Sequence, residues 1–165
     1  MSVSDSVSRT AESSDVRWLD PAEQDAWRAY LASTRLIFDL LERQLQADAG
    51  MPLAYYDILV TLSEAPAQTM QMGTLARSLR NSASRLSHAV TKLESCGWVR
   101  RESHPSDRRA QLAVLTNDGA TALADAAPGH VAAVRRSLFD ALTPTQVKQL
   151  HAISRALLDA AGPEI

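Results

Sequence analysis

Cysteine occurs once in the 165 residues, at Cys96, so a disulfide framework within the chain is excluded. A lone thiol suits a reducing compartment, and the cytoplasm is the expected location. No apolar run approaches the roughly 18 residues that a membrane-spanning helix needs. The stretch from Met1 to Asp15 is Ser-rich and acidic and lacks an apolar segment, so it is not expected to be a secretory signal. Glycine is sparse, with six in all, and forms no phosphate-cradling loop. A G-x-S-x-G nucleophile turn is missing too, and no nucleophile sits beside a base. The histidines, His88, His104, His130 and His151, show no His-x-x-x-His spacing, and Cys96 pairs with none of them. Together these absences predict no catalytic residues, no metal site, no cofactor and no enzymatic activity.

What is present is an ordinary globular composition, 45% hydrophobic and 22% charged, in a length that suits one domain or one compact unit with appended helices. The formal charge of −2 averages unlike segments. Residues 1–25 sum to −4, whereas residues 76–111, with Arg77, Arg80, Arg85, Lys92, Arg100, Arg101, Arg108 and Arg109, sum to +5. A positive block inside an acidic chain is what a localised polyanion site requires.

Periodicity divides the chain into helices and one hairpin. Residues 1–17 lack it and read as a disordered acidic tail. Asp20-Pro21-Ala22-Glu23 is a capping box with Pro at the first helical position, and apolar residues then recur at helical steps to Ala49. A short apolar helix follows over Leu53–Ser63. The spacing predicts a third helix over Met70–Arg80, capped by Thr69, and a fourth over Ser82–Ser95, closed by Gly97. Trp98–Arg101 and Gln111–Thr116 read as two strands of a hairpin. A long helix over Asn117–Ala141 is expected to kink or break at Pro128-Gly129. Thr143-Pro144-Thr145-Gln146 opens the last helix with a second capping box.

Helix, helix, tight turn, helix and basic hairpin, in that order, make a winged helix-turn-helix. A helix about 10–12 Å across fits a major groove about 12 Å wide. The fourth helix sets an apolar stripe (Ala83, Leu86, Val90, Leu93) against a polar face of Ser84, Arg85, His88, Thr91 and Lys92, with Ser82 and Ser87 nearby. These seven polar residues are candidate DNA contacts. Arg85 is the candidate guanine reader, because its planar fork matches the two acceptors there. Arg108 and Arg109 at the hairpin tip suit a minor groove, with Asp107 holding Arg109 in position. The fold class is mainly α with a small β-hairpin. Its expected parts are an N-terminal helix (18–49), a winged helix-turn-helix DNA-binding lobe (50–116) and C-terminal helices (117–165).

The sequence resembles the MarR-type (multiple-antibiotic-resistance) bacterial regulators over about Trp27 to Leu158. The likeness rests on Leu75-Ala76-Arg77, the run Ser84 to Glu94, Gly97-Trp98-Val99-Arg100-Arg101, the Asp107-Arg108-Arg109 wing and Leu115-Thr116-Asn117-Asp118-Gly119. It implies a homodimer with interlocking first and last helices, a palindromic double-stranded DNA operator, and Arg109 in the minor groove with Asp107 as its orienter. Two residues depart from the pattern. His88 stands where Arg is frequent, and Ala110 where Gly commonly follows the wing Arg, which predicts a less extended turn. The resemblance also implies a small-molecule pocket. Trp27, Tyr30, Tyr55 and Tyr56 are its candidate lining, with core packing as the alternative for each. Peroxide-sensing relatives carry their reactive Cys in the first helix, where this chain has none, so Cys96 reads as packing. The expected function is a sequence-specific DNA-binding repressor released by a small ligand, with aromatic acids as one class to scan. The rival is a winged-helix protein–protein adaptor without DNA binding.

Overall fold

A computed structural model describes residues 16–107 and 110–162. The acidic tail expected over 1–17 therefore lies outside the described residues except for Val16 and Arg17. Contacts divide the chain into two compact units, Met1–Arg35 and Leu36–Ile165.

Within the first unit, helix α1 (Pro21–Ala49) begins with the capping box expected from the sequence. The Glu23 N–H donates to Asp20 Oδ1 and the Asp20 N–H to Glu23 Oε2, both at 2.9 Å. These bonds satisfy end groups that the helix itself leaves open. One turn further on, Trp27 and Tyr30 stack at 6.2 Å between ring centres, and both are exposed.

The second unit holds the core. Helix α2 (Leu53–Glu64) starts after Pro52, which offers no side-chain cap. The cap comes instead from α1: Glu42 Oε2 accepts the Leu53 N–H at 2.8 Å. Strand β1 (Thr69–Gln71) and helix α3 (Met72–Ser78) follow a tight turn at Pro66–Gln68, in which Ala67 and Gln68 take positive φ. Helix α4 (Ala83–Ser95) has Ser82 as its N-cap, and Gly97, at φ +77°, turns the chain out of it. Strands β2 (Val99–Ser103) and β3 (Gln111–Leu115) complete an antiparallel sheet of order β1-β3-β2. The register pairs Val99 with Leu115 and Thr69 with Val114. Leu59, Leu62, Leu75, Leu86, Val90, Leu93, Val99 and Leu115 fill one core beneath α4 and the sheet. Helices α5 (Asn117–Ser137) and α6 (Pro144–Ala161) finish the chain.

Beyond shifts at element ends, two differences from the sequence reading concern how elements meet. Thr69–Gln71 belongs to the sheet rather than capping and opening the third helix, so the hairpin supplies two strands of a three-stranded sheet. Three residues are too short a run for periodicity to register; the free edge of β3 recruits them. Pro128-Gly129 also fails to interrupt α5, which ends at Leu138 (φ −129°, ψ −61°). A Cβ at Gly129 would stand 3.0 Å from Gln44 Nε2 on α1, so the small residue permits close approach of the two helices.

A motif at the start of α5 ties it to the lobe. Thr116 caps α5 by accepting the Gly119 N–H at 3.0 Å, and its hydroxyl donates to the Gly97 carbonyl at 2.6 Å. The Thr116 N–H donates to the Trp98 carbonyl at 3.0 Å. By contrast α6 buries none of its residues and leaves Ile153, Leu157 and Leu158 about half exposed.

Candidate nucleic-acid interface

Helix α4 is anchored by one face and open on the other. Leu86, Val90 and Leu93 are buried, while Ser84, Arg85, Ser87, His88, Thr91 and Lys92 are all exposed. Ser82 is exposed too, but its hydroxyl is engaged as the cap, accepting the Arg85 N–H at 3.3 Å. The sequence thus gathered seven polar residues that the fold places on or at the start of one helix face. Asp107 is exposed beyond β2, where the chain folds back: the Ala110 N–H donates to the Asp107 carbonyl and the His104 N–H to the Ala110 carbonyl, both at 3.0 Å. Arg108 and Arg109 lie outside the described residues.

One residue of this surface carries more contacts than the sequence reading assigned it. Arg101 on β2 pairs with Glu94 at the end of α4, and its side chain is only 20% exposed. Its backbone N–H also donates to Glu94 Oε1 at 3.0 Å. The guanidinium donates further to the Ser87 carbonyl at 2.8 Å, to Ser87 Oγ at 3.3 Å and, through both terminal nitrogens, to Thr91 Oγ1 at 3.2 Å. Thr91 in turn donates its hydroxyl proton to the Ser87 carbonyl at 2.9 Å. Charge counting placed Arg101 in the basic block but could not assign it a partner, because Glu94 meets it only after the chain turns at Gly97. Arg101, Ser87, Met72 and Gln111 border a groove of about 420 Å³ between α3, α4 and the sheet.

The candidate pocket aromatics are dispersed. Trp27 and Tyr30 belong to the first unit and are exposed. In the second unit Tyr55 is half-buried and Tyr56 is core, its ring 4.3 Å from that of His130. Another cleft of the second unit, about 340 Å³, is bounded by Phe38, Glu42, Leu53, Asp57, Leu79 and Asn81. Cys96 is exposed at the end of α4 rather than packed. Among the described residues no cluster of His, Cys, Asp or Glu is arranged to hold a metal ion. Among them, too, no helix is long and apolar enough to cross a membrane.

His130 has an unusual setting. Its Nδ1 is buried without a hydrogen-bond partner among the described residues. Burial holds its imidazole below the ordinary 6.5, with Asp57 opposing. Burial likewise raises the Asp57 carboxyl above 3.8, with His130 opposing. The folded protein therefore takes up the His130 proton less readily than the unfolded chain, and that part of its stability is lost as pH falls below about 6.5. Asp57 acts in the opposite sense, but lower, between its raised value and the ordinary one. Lowering pH from about 7.5 to about 5.5 is thus expected to lower Tm. His130→Phe, which keeps a ring on Tyr56, should flatten that dependence; parallel melting profiles for the two proteins would refute the assignment.

A three-stranded sheet, a helix pair and an outward polar helix define a winged helix-turn-helix protein of the type that regulates transcription. The chain belongs to the MarR family of transcriptional regulators. It is 50% identical to Sco3205, a MarR family regulator from Streptomyces coelicolor solved in complex with DNA, over 89% of this chain and 92% of that one, with a TM-score of 0.85. It is 41% identical to AbsC, another MarR family regulator of that organism, over 88% and 98% of the two chains, with a TM-score of 0.83. A more distant neighbour, CouR from Rhodococcus jostii RHA1 bound to p-coumaroyl-CoA, is 25% identical over 81% and 91%, with a TM-score of 0.70. The MarR family model matches residues 49–110. No curated protein sequence matches the chain.

Proposed function

We propose that the protein is a homodimeric, cytoplasmic repressor that binds a palindromic operator and leaves it when a small molecule binds. The exposed face of α4 carries this reading: a helix held by Leu86, Val90 and Leu93 turns Ser84, Arg85, Ser87, His88 and Lys92 outward together. Sco3205, half identical to this chain, was solved on DNA, which supports the same use of the face. In this reading Arg85 reads guanine in the major groove. Arg108 and Arg109 clamp the minor groove, with Asp107 as orienter, and contacts to phosphate fix the register.

Two copies must set their α4 helices about 34–36 Å apart to reach successive grooves, so an effector need only change that spacing. The CouR complex with p-coumaroyl-CoA supports effector binding as a mode of control. The cleft of the second unit at Phe38, Glu42 and Asp57 is a candidate effector site.

The test is selection of duplexes from a random pool, followed by titration of the winning duplex across salt. Arg85→Ala is expected to weaken that duplex by about 1–3 kcal/mol and to relax selectivity at one base position. Equal loss on every sequence would make Arg85 a phosphate contact. Activity in the cell that survives charge reversal at both Arg85 and Arg109 would favour the adaptor.

A further inference from the structure

We propose that Arg101 is a positioning residue that fixes the wing to the recognition helix and decides which hydroxyls of α4 face the DNA. The inference rests on the DNA-binding reading of α4 and adds an internal strut to it.

Arg101 lies in the basic block and borders the open groove beside α4, so charge alone would make it a phosphate contact. Its geometry argues otherwise. Carboxylate, carbonyl and hydroxyl oxygens of α4 receive its guanidinium, and its backbone N–H meets the same carboxylate. Both partners of this bond set belong to the two elements whose mutual placement matters: α4, which enters one groove, and β2, which leads to the wing. A guanidinium is suited to this work because its rigid fork serves several acceptors at once, which an ammonium on a flexible stem does not match.

The bond set also sorts the hydroxyls. A hydroxyl has one proton to give and two lone pairs. Thr91 gives its proton to the Ser87 carbonyl and accepts from both terminal nitrogens of Arg101, so its capacity is full. Ser87 Oγ accepts from Arg101, and among the described residues no acceptor is recorded for its proton. Ser87 is therefore left with a donor facing outward, made stronger by the cation behind it, and a phosphate oxygen is the acceptor it suits. Thr91 belongs to the strut and Ser87 to the contact surface, although the two look alike in the sequence.

The experiment is operator affinity for the full-length wild type, Glu94→Gln, Arg101→Lys, the double variant, Ser87→Ala and Thr91→Val. The probe is the tightest duplex that the wild type selects from a random pool. Melting curves and light scattering check that each variant is folded and matches the wild type in assembly. Removing an anion near DNA by Glu94→Gln tightens binding if simple electrostatics rules. The strut predicts the opposite sign: Glu94→Gln and Arg101→Lys each weaken binding about tenfold, and the double variant is little worse than either. Ser87→Ala should cost about 3–10-fold, the worth of one hydrogen bond, and Thr91→Val about twofold or less, because Arg101 keeps Glu94 and the Ser87 carbonyl as anchors. Tighter binding by Glu94→Gln overturns the proposal. So does wild-type affinity for Arg101→Lys, or a greater loss for Thr91→Val than for Ser87→Ala. A wild type that selects no duplex overturns both this inference and the DNA-binding reading, whereas selection with the wrong sign at Glu94 overturns this inference alone.

Discussion

Ile153→Asp combined with Leu157→Asp is expected to turn the proposed dimer into a monomer and to lower operator affinity by about 10²–10⁴-fold. Neither side chain is part of the core, since α6 buries none of its residues and both are more than half exposed. The lobe should therefore keep its fold, and melting of the variant will check this. A half-site held by one winged helix lacks the second, tethered contact, which is where the large factor arises. Exposed apolar residues also lie on α1 (Leu36, Phe38, Leu40) and on α5 (Val131), so in the proposed dimer a partner copy would have more than one helix to cover. Light scattering at micromolar concentration and a gel shift on the selected duplex give the two readouts. A variant that stays dimeric would place the interface elsewhere.

Gly119→Ala is expected to destabilise the fold by about 2–3 kcal/mol, the cost of forcing atoms into a filled space, and to lower Tm by roughly 5–10 °C. A Cβ there would stand 2.1 Å from the Trp98 carbonyl oxygen and 2.9 Å from a methyl of Leu115. The obstacle is backbone and cannot swing aside. Gly73→Ala is the control: nothing lies within 4 Å of its added carbon and its backbone is helical, so that substitution should be neutral or slightly stabilising. Equal melting temperatures for the wild type and Gly119→Ala would mean that the junction between the wing and α5 yields easily.

Most of the helices were legible because their signals are local. Asp20 and Glu23, and Thr143 and Gln146, are each three residues apart, and each pair meets as capping chemistry requires. The polar face of α4 was legible for the same reason: its contrast with Leu86, Val90 and Leu93 has the helical period. What escaped was non-local. Strand β1 exists because β3 offers it an edge more than forty residues further along the chain. The cap of α2 comes from Glu42, eleven residues upstream. Glu94 and Arg101, on opposite sides of Gly97, become partners only once β2 folds back on α4. Pro128 lies inside α5 without ending it, although its local tendency is to break a helix.

The junction at Thr116 has a mechanical consequence. Hydrogen bonds to Gly97 and Trp98, with Gly119 pressed against the same backbone, weld the exit of α4 and the root of β2 to the first turn of α5. Such a weld transmits rotation without slip. Helix α5 has 21 residues and is about 31 Å long at 1.5 Å per residue. It is therefore a lever: tilting its far end by about 5° would swing the lobe by about 3 Å over that length. In the proposed complex with DNA, a small rearrangement among the terminal helices would then carry α4 out of register with its groove, and the lobe itself need not deform at all.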